Sequence, residues 1–435
     1  MTVRFAALAL AAFGVAATAA GQSLLEAAEA GEHDAALAAL KEGGDVDARG
    51  PDGTTALIWA AYNDDAELVE RLLAAGADAN AQNEFGTSAL SEAAIGGYAD
   101  VIAELLKGGA DANLTNPEGE TPLMEVARTG NVEAATLLLD AGADVNAIEL
   151  WGQQSALMWA AAQKHPQMIK LLISRGADVN ARGAVRNWER KVIREPRPKD
   201  MNQGGFTPLL YAAREGCIEC AKELVAGGAD LDLPDPHRVT PLVMALLNLH
   251  FDMAAYLIEA GADVNKWDLY GRSPLYMAAD TSTLPVQGNG SMVVLPSMDK
   301  LKAIDVARLL LEKGANVNAQ LKLRPPYRNV GQDRLADPAI DYGATPLLRA
   351  AKAGDVPAMK ALLAAGALVD LPNAYGHTPL IVAAGATRGR ATPTRGGNYT
   401  EEQAIEAVKV LLAAGADVRA AGYKDPDGKR GEALR

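Results

Sequence analysis

The chain has 435 residues and a formal net charge of −14, since 55 Asp and Glu residues outnumber 41 Lys and Arg residues. Nucleic acids and anionic membrane surfaces both require a basic protein face, so this composition excludes a general nucleic-acid binder and disfavours attachment to such a membrane. Aromatic residues make up only 5% of the chain, and the abundant Ala and Leu suit small, closely packed helices.

The first predicted element is a secretory signal peptide over residues 1–19. Arg4 supplies a positive charge, a run of small and apolar residues follows from Phe5 to about Ala17, and small residues precede Ala20. This order is typical of signal peptides. A retained membrane helix is the alternative, but the run is shorter than the ~20 apolar residues that a bilayer span requires. We therefore expect cleavage and a mature protein that is exported to a bacterial periplasm, with no membrane attachment.

A short peptide of the form Gly-Ala-Asp-Val-Asn recurs along the rest of the chain. Its copies begin at Gly76, Gly109, Gly142, Gly176, Gly228, Gly261 and Gly314, with drifted copies at Gly366 and Gly415. The first three glycines are 33 residues apart, and a fixed period of this length indicates stacked supersecondary units. Such a solenoid usually carries its function on a continuous surface and rarely in an enclosed catalytic site.

The sequence of each unit predicts two helices followed by a hairpin. A Ser or Thr precedes the first helix, where its hydroxyl can accept a hydrogen bond from a free backbone N–H. These hydroxyls belong to Thr55, Ser88, Thr121, Ser155, Thr207, Thr240, Ser273, Thr345 and Thr378. Periodic leucines predict the second helix. The Gly of the recurring peptide ends that helix, because this position favours a left-handed backbone, and the following Asp and Asn suit a turn.

Together, the Thr-Pro-Leu-x-x-Ala-Ala and Leu-Leu-x-x-Gly-Ala-Asp-Val-Asn patterns resemble the ankyrin repeat over roughly residues 23–419. The resemblance implies an all-α fold, an ankyrin-repeat solenoid of about ten helix–turn–helix–hairpin units that commonly binds proteins on its concave side. It divides the chain into an N-terminal capping repeat (20–50), regular repeats (51–182), repeats with insertions (183–422) and an incomplete C-terminal cap (423–435). The family usually places His after Thr-Pro-Leu. This chain never does, so we expect apolar packing to replace the hydrogen bonds of that His.

Four insertions interrupt the repeat period in the second half of the chain, at about residues 183–203, 281–300, 320–341 and 386–401. The first and third fall at hairpin tips, whereas the second and fourth fall between the paired helices of one repeat. They should therefore emerge at opposite ends of the helices and flank the groove. Insertions of this kind often build a binding face. Solvated loops without such a role are the alternative, because lengthening a loop costs little.

Two sets of residues are candidates for contacting a partner. The first insertion is rich in basic residues around one Trp, which predicts anchors for an acidic patch on a partner protein: Arg186, Trp188, Arg190, Lys191 and Arg194. The second set consists of aromatic residues before the hairpin glycine: Phe85, Trp151, Tyr270, Tyr342 and Tyr375. Their register places them along one edge of the groove, either as exposed binding residues or packed against the adjacent hairpin.

The chain has few features that point to catalysis. Cys217 and Cys220 form a C-x-x-C at the start of a helix, but no thioredoxin-like pattern surrounds them. In an oxidising compartment, a local structural disulfide or two free thiols are expected instead. The histidines are scattered, and no metal-ligand spacing, hydrolase motif or phosphate-binding loop occurs. The sequence therefore predicts no enzyme, no metal and no cofactor.

The predicted function is that of a non-catalytic protein-binding module in the periplasm. Its C-terminal half, with the basic loops, is expected to carry partner specificity, while the regular N-terminal half supplies length and stability. Two alternatives stay open: a pocket for a small acidic ligand or polysaccharide, closed by the inserted loops, and a protective or inhibitory role toward a co-exported enzyme. The oligomeric state is open as well, because the last repeat leaves an apolar end that another chain could cover.

Overall fold

The structure, a computed structural model, describes residues 22–186, 203–282, 297–323, 340–385 and 400–420. The predicted signal peptide and the predicted C-terminal cap lie outside these residues. In the described part, the regular elements are twenty helices, and β-structure is limited to four isolated antiparallel bridges. The predicted all-α class is therefore confirmed.

The helices form ten successive pairs, which we number as the first to the tenth repeat. They are α1 (Leu24–Glu29), α2 (His33–Lys41), α3 (Ala56–Tyr62), α4 (Ala66–Ala74), α5 (Ala89–Gly96), α6 (Ala99–Lys107), α7 (Pro122–Thr129), α8 (Val132–Asp140), α9 (Ala156–Ala162), α10 (Pro166–Ser174), α11 (Pro208–Glu215), α12 (Ile218–Ala226), α13 (Pro241–Leu247), α14 (Phe251–Glu259), α15 (Pro274–Thr281), α16 (Ala303–Glu312), α17 (Pro346–Lys352), α18 (Val356–Ala364), α19 (Pro379–Ala383) and α20 (Glu401–Ala413). In each pair the odd-numbered helix is the first. First helices stack on first helices and second helices on second helices along the array. The predicted solenoid of about ten units is confirmed.

The ends of the helices follow the predicted chemistry. Thr207, for example, has an extended backbone, and its hydroxyl accepts a hydrogen bond from the Leu210 N–H at 3.2 Å. The Gly of the recurring peptide takes a left-handed backbone in each repeat, as at Gly142 with φ +90°. Ser155 is an exception, because its hydroxyl is buried and makes no capping bond.

Apolar packing fills the position where the family usually has His. Met124, Met158 and Leu210 are each at most 1% exposed at this position, and burying a side chain of this size contributes roughly 1.5–3 kcal/mol. The expected replacement of hydrogen bonding by apolar packing is thus found at these sites. Hydrogen bonds between repeats nevertheless persist elsewhere, since Nε2 of His165 lies 3.0 Å from the Arg128 carbonyl of the preceding repeat.

A row of hydrogen bonds between hairpins, which we call the asparagine ladder, fixes the spacing of the repeats. In one step, the Asn113 side chain donates to the Gly142 carbonyl at 3.0 Å and accepts from the Asp144 N–H at 2.7 Å. The other members are Asn80, Asn146, Asn180, Asn265 and Asn318. The Asp of the recurring peptide bonds within its own turn, as predicted, whereas the Asn reaches the next repeat, which local turn chemistry did not predict.

Four segments of the predicted insertions lie outside the described residues: 187–202, 283–296, 324–339 and 386–399. The base of the first insertion is described. Val185 and Gly204 form an antiparallel bridge, and the Arg186 N–H donates to the Gln203 carbonyl at 2.8 Å. The base of the third is described as well, with Leu321 and Ala344 joined at 3.0 Å. Both insertions therefore leave from hairpins, while the second and fourth separate α15 from α16 and α19 from α20.

Candidate partner-binding surface

The hairpin edge of the N-terminal half presents large apolar side chains to solvent. Phe85 is 67% exposed, Trp151 is 68% exposed, and Leu150 beside it is 71% exposed. Their backbones are fixed by the repeat, because the Phe85 N–H donates to the Asn83 side chain and the Trp151 N–H to the Glu149 side chain. Exposed aromatic residues on a rigid edge have the character of binding anchors. Two of the five predicted aromatic positions therefore have the accessibility that a partner contact requires.

Tyr270, predicted to contact a partner, is instead buried, with only 8% of its surface exposed. The Arg272 guanidinium lies 5.2 Å from its ring centre. The Tyr270 carbonyl accepts hydrogen bonds from the N–H groups of Lys322 and Leu323, at 2.8 and 3.1 Å. Of the two alternatives given for these aromatics, Tyr270 therefore follows the packed one and not the exposed one, and the start of the third insertion binds to its hairpin.

The two remaining aromatic positions are intermediate between these cases. Tyr342 is 39% exposed. Tyr375 is half-buried, and its ring stacks with the ring of His377 at a distance of 6.2 Å. The five aromatic positions thus range from buried to exposed, so the row of aromatics is not one uniform surface.

The structure brings together Arg186 and Trp151, two residues predicted from different features. Nη2 of Arg186 donates to the Trp151 carbonyl at 2.5 Å, and its guanidinium carbon lies 6.0 Å from the indole centre. This geometry is that of a cation–π contact, worth roughly 0.5–1 kcal/mol at an exposed site. The base of the first insertion is thereby tied to the preceding hairpin. The other predicted contacts in this insertion, Trp188, Arg190, Lys191 and Arg194, lie outside the described residues.

A polar and aromatic cluster, not predicted from the sequence, joins the fifth and sixth repeats. Gln154 donates one hydrogen bond to the Tyr211 hydroxyl and accepts another from the Trp159 indole N–H at 3.1 Å. The Arg214 guanidinium lies 5.0 Å from the Tyr211 ring centre, and burial raises the pKa of the Tyr211 hydroxyl. The repeat pattern does not fix which residues occupy these positions. The aromatic residues themselves are therefore the one sequence signal for this cluster.

A cleft of about 510 Å³ lies between the third and fourth repeats. Its apolar wall includes Phe85, Ile95 and Pro117, and its polar lining includes four glutamates: Glu84, Glu118, Glu120 and Glu125. The cleft was not predicted from the sequence, because Glu84 belongs to the hairpin of one repeat and the other three glutamates to the hairpin and first helix of the next.

Glu125 on α7 is the buried member of this lining, with 7% of its surface exposed. Nη2 of Arg128 lies 2.6 Å from its Oε2, a close ion pair within the fourth repeat. Burial raises the pKa of Glu125 to about 7, and the Arg128 charge only partly opposes that effect. The cleft therefore contains a carboxyl group that loses its proton near neutral pH.

Cys217 and Cys220 are joined by a disulfide at the start of α12. Sγ of Cys217 also accepts a hydrogen bond from the Cys220 N–H at 3.2 Å and so caps the helix. In the described residues, no group of three or more His, Cys, Asp and Glu could hold a metal ion. None of the helices in that part of the chain has the length and apolarity that a bilayer span requires.

Comparison with known protein families and known proteins finds that most of this chain is similar to ankyrin repeats. The family described as "Ankyrin repeats (3 copies)" matches residues 24–116, 90–183, 190–268 and 209–293, and the family "Ankyrin repeat" matches 270–322 and 342–374. A Danio rerio protein named "Putative palmitoyltransferase ZDHHC13" is 28% identical over 228 residues, which cover 52% of this chain and 27% of that protein. The chain thus spans about a quarter of the length of this relative.

Among solved structures, the human ASB11 ankyrin repeat domain is 22% identical to this chain. The match covers 56% of this chain and 99% of that domain, with a TM-score of 0.46.

Proposed function

Because the chain belongs to the ankyrin repeat family, whose repeats indicate a protein–protein interaction module, we propose that it is a non-catalytic module that binds a partner protein in the periplasm. The contact surface is the concave face together with the hairpin edge and the base of the first insertion. Palmitoyl transfer is a property of the whole relative named above and is not proposed for this chain.

The observation that carries this proposal is the exposure of Phe85, Leu150 and Trp151 on hairpins held in register by the asparagine ladder. Three large apolar side chains that are each more than two-thirds exposed are energetically unfavourable in water. Since their backbones are already fixed, a partner that covers them would lose little ordering entropy on binding.

The basic residues of the first insertion support a more specific proposal, that the partner has an acidic patch. Arg186 is held against Trp151 at the base of this insertion, and Arg190, Lys191 and Arg194 follow it in the sequence. Basic residues beside an exposed indole favour an acidic surface, which they would steer and anchor. In this proposal the first insertion of the C-terminal half sets partner specificity, together with the Trp151 hairpin that Arg186 contacts.

Export is proposed from the signal-like pattern of residues 1–19. The disulfide between Cys217 and Cys220 is in keeping with an oxidising compartment. The mass of the exported chain tests this point, because a chain that still contains residues 1–19 would contradict cleavage.

The experiment for the proposal shortens the first insertion. Residues 187–202 are replaced with Asn-Gly, a pair that suits a two-residue hairpin turn, between Arg186 and Gln203, which already share a backbone hydrogen bond. Proteins captured from periplasmic extract by the intact and shortened chains are then identified, and their affinities are measured with purified components.

We expect unchanged thermal unfolding and loss of the partner from the shortened chain. A matched control removes residues 324–339 from the third insertion. Equal binding by the intact chain and the chain lacking 187–202 would contradict the role of this insertion, and a partner that is an exported enzyme would assign the protective or inhibitory role. The cleft described above lies in repeats without insertions, so the described residues do not favour a ligand pocket closed by the inserted loops.

A further inference from the structure

The cleft of the third and fourth repeats has an apolar wall that is open to solvent. Phe85 is 67% exposed and Ile95 is 45% exposed. Pro117 of the next hairpin lies against Gly86, where an added Cβ atom would be only 2.4 Å from the proline Cδ. The two hairpins therefore approach as closely as a glycine allows, and the cleft is a built feature of the repeat contact.

The polar side of the cleft is lined by acidic side chains. The described residues that line it include Glu84, Glu118, Glu120 and Glu125 but no Lys or Arg. Glu120 is held in place by Asn116, whose side-chain amide donates to its carboxylate at 2.8 Å. The Asn116 side-chain carbonyl oxygen accepts from the N–H groups of Glu118 and Glu120, at 3.1 and 2.9 Å. Asn116 thus fixes the Glu120 carboxylate and the backbone of this hairpin.

Glu125 adds an observation that does not depend on the exposed carboxylates. It is more than nine-tenths buried and lines the cleft, and the Arg128 charge 2.6 Å from its Oε2 only partly offsets the effect of that burial. A buried carboxylate is costly unless it is paired and hydrogen-bonded. A second cation entering the cleft would further stabilise the ionised form of this carboxylate.

We infer that this cleft binds an arginine side chain of a partner polypeptide, whose neighbouring apolar residue packs on Phe85 and Ile95. Arginine fits better than lysine, because its planar guanidinium donates to two carboxylates at once and stacks on an aromatic ring. The inference rests on the proposed function in taking the occupant to be a protein segment. It adds a basic recognition element on the partner, separate from any acidic patch that faces the first insertion.

The test uses the full mature chain with ¹³C-labelled isoleucine methyl groups and two synthetic peptides. One peptide is acetyl-Gly-Ser-Gly-Leu-Arg-Leu-Gly-Ser-Gly-amide, and the other has Gln in place of Arg. The Ile95 methyl resonance, assigned with Ile95→Val, reports on the cleft, while Ile173 in the second helix of the fifth repeat serves as a reference.

We expect the Arg peptide to shift the Ile95 resonance in a saturable manner, and the Gln peptide to bind at least tenfold more weakly. The double variant Glu118→Gln/Glu120→Gln should weaken the Arg peptide at least tenfold, since Gln keeps the shape and can still accept from Asn116. The charge-matched control Glu70→Gln/Glu133→Gln changes exposed residues of α4 and α8, and it should bind like the wild type.

An Ile95 resonance that does not move at millimolar peptide, or equal shifts with both peptides, would overturn the inference. A Lys peptide that binds as tightly as the Arg peptide would overturn the preference for arginine. These results are independent of the shortened-insertion experiment. A partner captured equally by the wild type and the Glu118→Gln/Glu120→Gln variant would refute the cleft and leave the protein-binding function intact.

Discussion

At the scale of single residues, Glu125 makes stability depend on pH. Its pKa is raised from 4.5 to about 7 in the folded chain. Between these values the folded chain holds a proton that the unfolded chain has released, so the free energy of unfolding falls as pH rises from about 4.5 to about 7. Above about pH 7, the full free-energy cost of burying the ionised Glu125 carboxylate is present. Glu125→Gln should remove it and stabilise the chain at about pH 8, by at most ~3 kcal/mol.

Urea denaturation midpoints at about pH 5 and about pH 8 measure this effect. Glu133→Gln, on the exposed face of α8, controls for the loss of one negative charge. If Glu125→Gln and Glu133→Gln change the pH dependence equally, burial of Glu125 is not its cause. A wild-type midpoint that is the same at both pH values, after correction for other groups with the control, would also contradict a raised pKa at Glu125.

Residue-level prediction from the sequence succeeded where the cause is local. The hydroxyl of Thr207 and the left-handed Gly142 act within a few residues of themselves, so their roles follow from the sequence around them. Tyr270 could not be predicted in the same way. It occupies the same repeat position as the exposed Phe85, but its hairpin is also bound by the backbone of Lys322 and Leu323, about fifty residues later. Exposure of a repeat position depends on what the neighbouring repeat inserts there.

At the scale of the element, the asparagine ladder should contribute measurably to coupling between repeats. Asn113→Ala removes a donor bond to Gly142 and an acceptor bond from the Asp144 N–H. At roughly 0.5–1.5 kcal/mol for each hydrogen bond, the free energy of unfolding should fall by about 1–2 kcal/mol for this exposed side chain. The measurement is the shift of the urea midpoint, multiplied by the slope of the transition.

Asn113→Asp provides a graded comparison, because it keeps the acceptor and loses the donor. The chain already contains this case: Asp232 accepts from the Asp263 N–H at 3.0 Å at the corresponding position of the sixth repeat. We expect the Asp variant to fall between the wild type and Asn113→Ala. Equal stability of the wild type and the Ala variant would show that the ladder sets geometry without contributing free energy.

Element-level prediction was accurate for the helices, because the 33-residue period repeats the same capping and packing signals many times. Ten helix pairs are found in the described residues, where about ten units were expected. The cleft was not predicted for a physical reason. Glu118 and Glu125 belong to one repeat, and only stacking brings Glu84 and Phe85 of the preceding repeat to the same cleft. A surface shared by two repeats is a property of the stacking and not of the repeat sequence.

At the scale of the whole molecule, the net charge of −14 raises the question of whether a cationic segment is attracted by the entire chain or bound by the cleft alone. The two effects have different kinetic signatures. Long-range attraction acts on the association rate and weakens as salt shortens the Debye length. Hydrogen-bonded contact with Glu118 and Glu120 acts mainly on the dissociation rate, because it is lost only when the complex separates.

The variants Glu118→Gln/Glu120→Gln and Glu70→Gln/Glu133→Gln separate these effects, since each removes two negative charges from the same chain. Stopped-flow binding of the Arg peptide at about 0.05 and about 0.5 M NaCl gives both rate constants. We expect the association rate to fall with salt in the wild type and in both variants. The dissociation rate should rise at least severalfold in the cleft variant alone. If both variants raise it equally, binding follows the overall charge, whereas an effect confined to the Glu118→Gln/Glu120→Gln variant identifies the hairpin that lines the cleft as the recognition element.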